Sequence, residues 1–306
     1  MTSPVPVALF AYARPAYLHR VLESLKKNHV PLLYAYSDGP RNADQESRVA
    51  EVRQILRQID WCDLTLVERE RNYGLGPSIR DGVSRILSEH DRVIVVEDDI
   101  VLRPGAYDFV VAALRQFENN SRLMTISMWN HPSIVPDQSQ HGFFSRRFVC
   151  WGWGTYEWAW KKYDRTPLDL YHLCEEKNIK ALDWGKDIKW QAEHAAERNL
   201  WYVGYALTHF LWDKVSYFPE ESLTINIGRG PGGENMSGGT PDDISKMDIP
   251  VSIPDTWPEF CIFPGLERRF ASYFEGKRVP VWKKLGKMAG LIRNFVINGS
   301  RNIFAS

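Results

Sequence analysis

One stretch constrains this chain most: Val93-Ile94-Val95-Val96-Glu97-Asp98-Asp99, four branched apolar residues running straight into three carboxylates. A continuous β-branched run is the pattern of a strand buried on both faces, as in a parallel sheet covered by helices. The acidic triplet then falls at the strand's carboxyl end, where open α/β sheets place their ligands. Three adjacent carboxylates repel one another and call for a positive partner. A hard divalent cation fits, because Mg²⁺ or Mn²⁺ takes oxygen ligands and is often held by one or two carboxylates plus substrate phosphates. The competing reading of the triplet alone is a solvated acidic turn.

The segments around it repeat one theme. Val5–Ala11 reads as a first buried strand, and Pro15 suits the first turn of the helix that carries Leu18, Val21, Leu22 and Leu25 at helical spacing. Leu32–Tyr36 is a second strand ending in the turn signal Ser37-Asp38-Gly39-Pro40. An amphipathic helix over 44–59, a strand at Leu64–Val67 and a helix from Tyr73-Gly74-Leu75-Gly76-Pro77 to about Glu89 lead to the organising strand. Strands alternating with helices give right-handed βαβ units and a parallel sheet. Arg14, Asp38 and Glu97-Asp98-Asp99 then converge on one sheet edge. There is no GxGxxG and no P-loop, and Gly74-Leu75-Gly76 is too short to be a dinucleotide fingerprint.

Beyond the triplet, Pro104 opens another helix and Leu123–Ser127 is a fifth strand leading to Met128-Trp129-Asn130. Phe143–Val149 reads as a strand before Trp151-Gly152-Trp153-Gly154, residues 186–198 as a helix, and Val215–Phe218 and Leu223–Ile227 as short strands. Six glycines then fall between Gly228 and Gly239, either a closing lid that brings in Arg229 and Glu234 or a connector. From Pro254 strand signals fade. Residues 276–306 hold seven Lys or Arg and no acid, and apolar residues from Val281 to Phe304 alternate with Lys283, Lys284, Lys287 and Arg293. That basic amphipathic pattern suits an anionic membrane surface, or a stripe packed on the domain or a second subunit.

A net charge of zero argues against a nucleic-acid binder with a broad basic surface. The four cysteines are scattered without a CxxC pair, which suits a reducing compartment and offers no zinc signature. No apolar run is long enough to span a membrane and no leader pattern opens the sequence, so the expectation is cytoplasmic, with peripheral contact to the inner face of the plasma membrane through 281–304. Twelve Trp, thirteen Tyr and fourteen Phe serve a core first, but Trp and Tyr faces also stack on sugar rings. At least one of Trp151 and Trp153, flanked by glycines, is expected to face a ligand.

Together these residues resemble a glycosyltransferase of the GT-A fold. Val95–Ile100 followed by Pro104 resembles the Glu-Asp-Asp segment of the N-acetylglucosaminyltransferase I family, and Leu123–Asn130 its next strand, which also ends in Trp-Asn. Phe148–Trp160 and Ser222–Gly228 resemble bacterial relatives acting in surface-polysaccharide synthesis. The similarity covers about residues 5–235. It implies an α/β GT-A catalytic domain over 1–253, with a mostly parallel central sheet and helices on both faces. A nucleotide-binding half would run to about 130 and an acceptor half over 131–253, followed by a C-terminal extension over 254–306.

The resemblance also implies roles. Asp99 would coordinate Mn²⁺ or Mg²⁺ bridging the donor phosphates, Asp98 would contact the ribose or a metal-bound water, and Glu97 the donor sugar. Arg14 and Asp38 would line the nucleotide, Asp38 accepting from a uracil N–H, while Arg71 and Asn72 flank the base and Trp129, Asn130 and Trp153 complete the donor site. Bacterial relatives often place a catalytic Asp directly after a Trp where this chain reads Trp201-Tyr202. Asp187, near Trp190, is the best substitute, with Asp183, His209 and Glu234 as alternatives. A His that relatives carry in the glycine loop is also missing here, where the residues are Glu234-Asn235-Met236-Ser237.

The expected function is a metal-dependent, inverting transferase that moves a sugar from a nucleotide donor, with UDP favoured, to a glycan or lipid-linked glycan. The rivals are a carbohydrate-binding protein that keeps this fold without turnover, and a sugar nucleotidyltransferase. The second would need a basic, glycine-rich loop where Ala11-Tyr12-Ala13-Arg14-Pro15 stands.

Overall fold

A computed structural model describes residues 3–179, 186–198, 200–228 and 244–274. The first half alternates as the periodicity requires: β1 (Val7–Ala11), α1 (Pro15–Lys27), β2 (Leu32–Ser37), α2 (Ala43–Arg57), β3 (Asp63–Glu68), α3 (Leu75–Ile86) and β4 (Arg92–Glu97). The four strands pair in parallel, in the spatial order β3-β2-β1-β4. Steps from β1 to β2 to β3 run one way and the step to β4 runs back, so right-handed crossovers put α1 and α2 on one face and α3 on the other. Covering both faces is what buries all of β1 and the Val93–Val96 run.

The second half departs from simple alternation. It contains β5 (Ile100–Leu102), α4 (Ala106–Gln116), β6 (Leu123–Ser127), β7 (Phe143–Ser145), β8 (Trp153–Tyr156), α5 (Glu157–Trp160) and α6 (Pro167–Glu176). After these come α7 (Lys186–Glu193), α8 (Ala195–Arg198), α9 (Tyr202–Leu211), β9 (Val215–Phe218), β10 (Thr224–Asn226) and α10 (Leu266–Phe274). The main sheet continues β4-β8-β6-β9-β7. β8 is antiparallel to both β4 and β6, β6 is parallel to β9, and β7 is antiparallel to β9. Hence β1 to β4, β6 and β9 all point one way, and their carboxyl ends share one edge with the residues that enter β8. β5 and β10 form a separate antiparallel ribbon.

The mixed α/β architecture matches the expected class, a mostly parallel sheet with helices on both faces. The expected strand at Phe143–Val149 stops at Ser145. The Arg147 backbone N–H donates to Ser145 Oγ at 3.1 Å, and the chain turns there as the Arg147 side chain goes inward. β8, which contains Gly154 and follows Gly152, takes strand form between β4 and β6, antiparallel to both. Residues 244–274 pack back on the sheet: Trp257 meets Phe109 and Phe117, and Phe270 lies on Phe218. Asp183, Arg229, Glu234 and the 281–304 stretch, named above from the sequence, lie outside the described residues.

Candidate active site

The shared carboxyl edge gathers the acidic triplet and Arg14. β1 ends at Ala11, and the next backbone N–H, that of Tyr12, donates to Asp98 Oδ2 at 3.0 Å. Arg14 Nη1 donates to Asp99 Oδ2 at 2.8 Å and stands 3.7 Å from Asp98 Oδ1. Asp98 is buried, whereas Asp99 and Arg14 keep part of their side chains in solvent. The β5–β10 ribbon closes the other side. The Ile227 N–H donates to the Asp99 carbonyl at 2.9 Å, and Gly228 packs directly on the Asp99 carboxylate. A Cβ at 228 would lie 2.1 Å from Asp99 Oδ2, so only glycine fits without displacing the acid.

These carboxylates are withdrawn from water and crowd one another. Burial first, then the Asp99 and Asp98 charges, raise the Glu97 pKa well above the ordinary carboxylate range, with Arg14 opposing. Burial also raises that of Asp99, again against the pull of Arg14. The Cys150 thiol is pushed up by burial, with Glu97 and Asp99 adding to the rise. Burial and mutual repulsion thus oppose the charged forms of these carboxyls, and Arg14 favours them.

Asp38, at the end of β2, does something the sequence reading missed. Its Oδ1 accepts from the N–H groups of Gly39 (3.1 Å) and Tyr73 (2.9 Å), and its Oδ2 from those of Tyr73 (3.1 Å) and Gly74 (2.9 Å). The carboxylate thus pins the loop between β3 and α3. Asn72 adds a bond from Nδ2 to the Gly39 carbonyl at 2.8 Å. The two loops touch so closely that a Cβ at Gly39 would come within 2.5 Å of the Arg71 backbone. Buried Arg69 backs this loop. It pairs with Asp81 at 2.9 Å and lies over the rings of Tyr36 and Tyr73, at 5.6 and 4.2 Å from their centroids. Asp38, Arg71 and Asn72 thus lie together where these two loops meet. The short polar Asp38 followed by glycine was the available signal for a loop clamp.

On the β8 side, Asp187 of α7 holds Arg147 in a buried fork. Nη1 donates to Oδ1 at 3.1 Å and Nη2 to Oδ2, and the side chains are 2% and 7% exposed. The guanidinium also stands 5.8 and 5.6 Å from the rings of Phe270 and Phe274. Tyr202 is next in this wall. Burial raises its pKa first, followed by Cys150 and Asp187, against Arg147 and a hydrogen bond to Gln191. Both Asp187 oxygens are engaged by Arg147, a partner the sequence spacing did not reveal.

The aromatic candidates are core residues. Trp153 is 1% exposed and packs against Phe148, Trp160, Trp201 and Tyr205, so it offers no face to a ligand. Trp129 is fully buried, edge-on to Trp151 and against Tyr273. Trp151, only 8% exposed, belongs to the same cluster. Asn130 spends its amide on the Pro219 and Glu220 carbonyls and its Oδ1 on the His131 N–H. The reason is common to all three. Trp129 and Asn130 follow β6, where the chain turns beneath the β9–β10 connection, and β8 is enclosed by β4 and β6. His209 is buried too. Its Nδ1 is 2.8 Å from the Tyr205 carbonyl and its Nε2 3.1 Å from Thr125 Oγ1, and burial lowers its pKa to about 4. It sits in the core away from the edge and does not act as a base there.

Among the described residues, no three His, Cys, Asp or Glu side chains are arranged to hold a metal ion by themselves. The chemistry at Asp98 and Asp99 still fits one, because adjacent carboxylate oxygens at the sheet's carboxyl edge suit a hard ion that would complete its shell from ligand phosphates. No helix among the described residues is long and apolar enough to cross a membrane.

No family model matches the chain, and no curated protein matches it. Solved structures with a similar chain path include a mannosyltransferase from Pyrobaculum calidifontis in complex with GDP-Man and Mn²⁺ (14% identity, TM-score 0.38), covering 51% of this chain and 45% of that one. S. aureus TarS 1–349 is similar at 12% identity and TM-score 0.43, covering 74% and 61%. A UTP-bound UGPase from Acinetobacter baumannii is similar at 9% and 0.42, covering 76% and 91%. The chain spans less than two thirds of the length of the first two.

Proposed function

We propose that this chain is a metal-dependent glycosyltransferase of the GT-A type, moving a sugar with inversion from a nucleotide diphosphate donor, UDP favoured, to a glycan or lipid-linked glycan. The observation that supports it most is the meeting of Arg14, Asp98 and Asp99 at the carboxyl ends of β1 and β4, closed by Gly228.

In this reading Asp99, with Asp98 beside it, would hold Mn²⁺ or Mg²⁺. Such an ion neutralises the charge that develops on the leaving diphosphate. Arg14 supplies a guanidinium for the same phosphates once it is released from Asp99. Glu97 is assigned to the sugar side of the site, where it would take the proton of the acceptor hydroxyl as that attacks from the face opposite the diphosphate. Asp187 was the expected base. With both oxygens in the Arg147 fork, its assigned role is to fix Arg147 and the wall that carries Tyr202 and Cys150. The basic 281–304 stretch is assigned to an anionic membrane surface, which would bring a lipid-linked acceptor within reach.

The test is thermal stabilisation by a panel of nucleotide sugars, with and without Mn²⁺, on wild type and Asp99→Ala. A ligand that binds only the native state raises Tm by mass action. The expected result is a metal-dependent rise with one donor that Asp99→Ala abolishes. Flat traces across the panel would sink the proposal and redirect attention to glycan ligands of a non-catalytic protein.

A further inference from the structure

Tyr73 is an exposed aromatic residue on the loop that Asp38 holds. It is 43% exposed, although Arg69 already lies 4.2 Å from its ring centroid. Arg69 itself is held from below by Asp81 and by the Ser78 carbonyl, which its Nη2 reaches at 3.3 Å, so the guanidinium is a fixed backing for the ring. The loop carrying Tyr73 is equally fixed, by the bonds to Asp38 described above. Arg71, on the same loop and exposed, has its guanidinium over the ring at 5.5 Å from the centroid. A rigid aromatic face at the ligand edge, backed by a cation, is a stacking platform.

Its position relative to the triplet matters. Asp38 and the pinned loop lie at the end of β2, two strands from β4. At a strand spacing of about 4.8 Å that is roughly 10 Å from the Asp98–Asp99 edge, close to the reach from a diphosphate through its ribose to the base. Asp38 cannot do the reading at that end, since its two oxygens already accept four contacts from backbone N–H groups.

We propose that the Tyr73 ring is the platform on which the donor's nucleobase stacks, and that Asp38 holds this platform in place and does not hydrogen-bond the base. The inference rests on the nucleotide-sugar reading above. It adds a binding residue, and it replaces edge recognition by Asp38 with face recognition by Tyr73.

The experiment is calorimetric titration of the full chain, in the presence of Mn²⁺, with UDP, GDP and ADP and separately with inorganic pyrophosphate. Wild type, Tyr73→Ala and Tyr73→Phe are compared, with thermal melts to verify folding. Tyr73→Ala is expected to weaken whichever nucleotide binds on the order of tenfold to a hundredfold, as loss of one base–aromatic stack does. Pyrophosphate affinity should stay unchanged, and Tyr73→Phe should bind like wild type, because the face is used and not the hydroxyl. Undiminished nucleotide affinity in Tyr73→Ala overturns the inference while leaving the transferase reading intact. Equal loss of pyrophosphate, or a Tyr73→Phe as weak as Tyr73→Ala, overturns it too, by assigning Tyr73 to loop shape or to a hydroxyl contact. A wild type that binds pyrophosphate but no nucleotide overturns the function proposal and this inference with it.

Discussion

Gly228→Ala is the substitution whose consequence can be worked most directly from the geometry. The added methyl would lie 2.1 Å from Asp99 Oδ2, 2.9 Å from its Cγ and 3.0 Å from its Cβ, so the whole acid is in the way, not its tip alone. The backbone at 228 is outside the left-handed region, so alanine itself is not strained. Asp99 has little freedom to yield, because its carbonyl accepts from Ile227 and its carboxylate from Arg14. Reaching ordinary contact therefore moves the carboxylate by about 1 Å, a displacement that costs on the order of 10²-fold when it misplaces a group acting on substrate. The overpacking should cost about 1–3 kcal/mol of stability, which leaves a folded protein to assay. The assay is kcat/KM for sugar transfer, together with donor affinity in Mn²⁺ and a thermal melt. A folded Gly228→Ala enzyme with wild-type turnover and donor affinity would refute the placement of Asp99 at the centre of the site.

Other expectations follow from the same contacts. Glu97→Gln should keep donor affinity and lose about 10²-fold or more in kcat, the scale of a lost general base; unchanged turnover would remove Glu97 from the chemistry. Asp187→Asn leaves Arg147 buried without its counter-charge and should destabilise the fold by about 3–5 kcal/mol in denaturant unfolding; a stable Asp187→Asn that loses only kcat would return the base role to Asp187. Asp38→Ala should free the Tyr73 loop, seen as faster amide exchange over 69–74, and no change there would deny the clamp. His209 gives a pH effect. Its folded pKa is lowered to about 4 from an ordinary value near 6.5. The unfolded chain thus binds its proton first, and stability that is complete above about pH 6.5 is lost as pH falls toward 4, by up to about 3 kcal/mol. Denaturation midpoints across that range should fall in wild type and flatten in His209→Gln.

Much of the first half of the chain was legible in order of residues. Val93–Val96 had to be a covered strand because four branched residues in a row leave no polar face to expose. The helix on Leu18, Val21, Leu22 and Leu25 followed from its stripe, and all four residues are buried. The second half was less legible because its strands are short and bear no local signature. β8 takes strand form in the slot between β4 and β6, and Trp153 becomes core through that insertion, despite a flanking pattern that suggested a ligand face. The Asp187 fork was likewise hidden, since Arg147 lies forty residues away in sequence.

What the sequence alone determined is local and periodic: which segments are strands and helices, and that an acidic triplet ends the central strand. Chain order and crossover handedness then bring Arg14, Asp38 and the triplet to one edge. Tertiary structure decided what each of those groups can do. Whether a carboxylate is free, clamped to backbone N–H groups or forked to an arginine depends on partners far away in the chain. Asp38 became a clamp, Asp187 a buried partner of Arg147, and Tyr73 an exposed ring on a fixed loop. Hydrogen bonds and burial are satisfied in three dimensions, and no spacing along the chain encodes them.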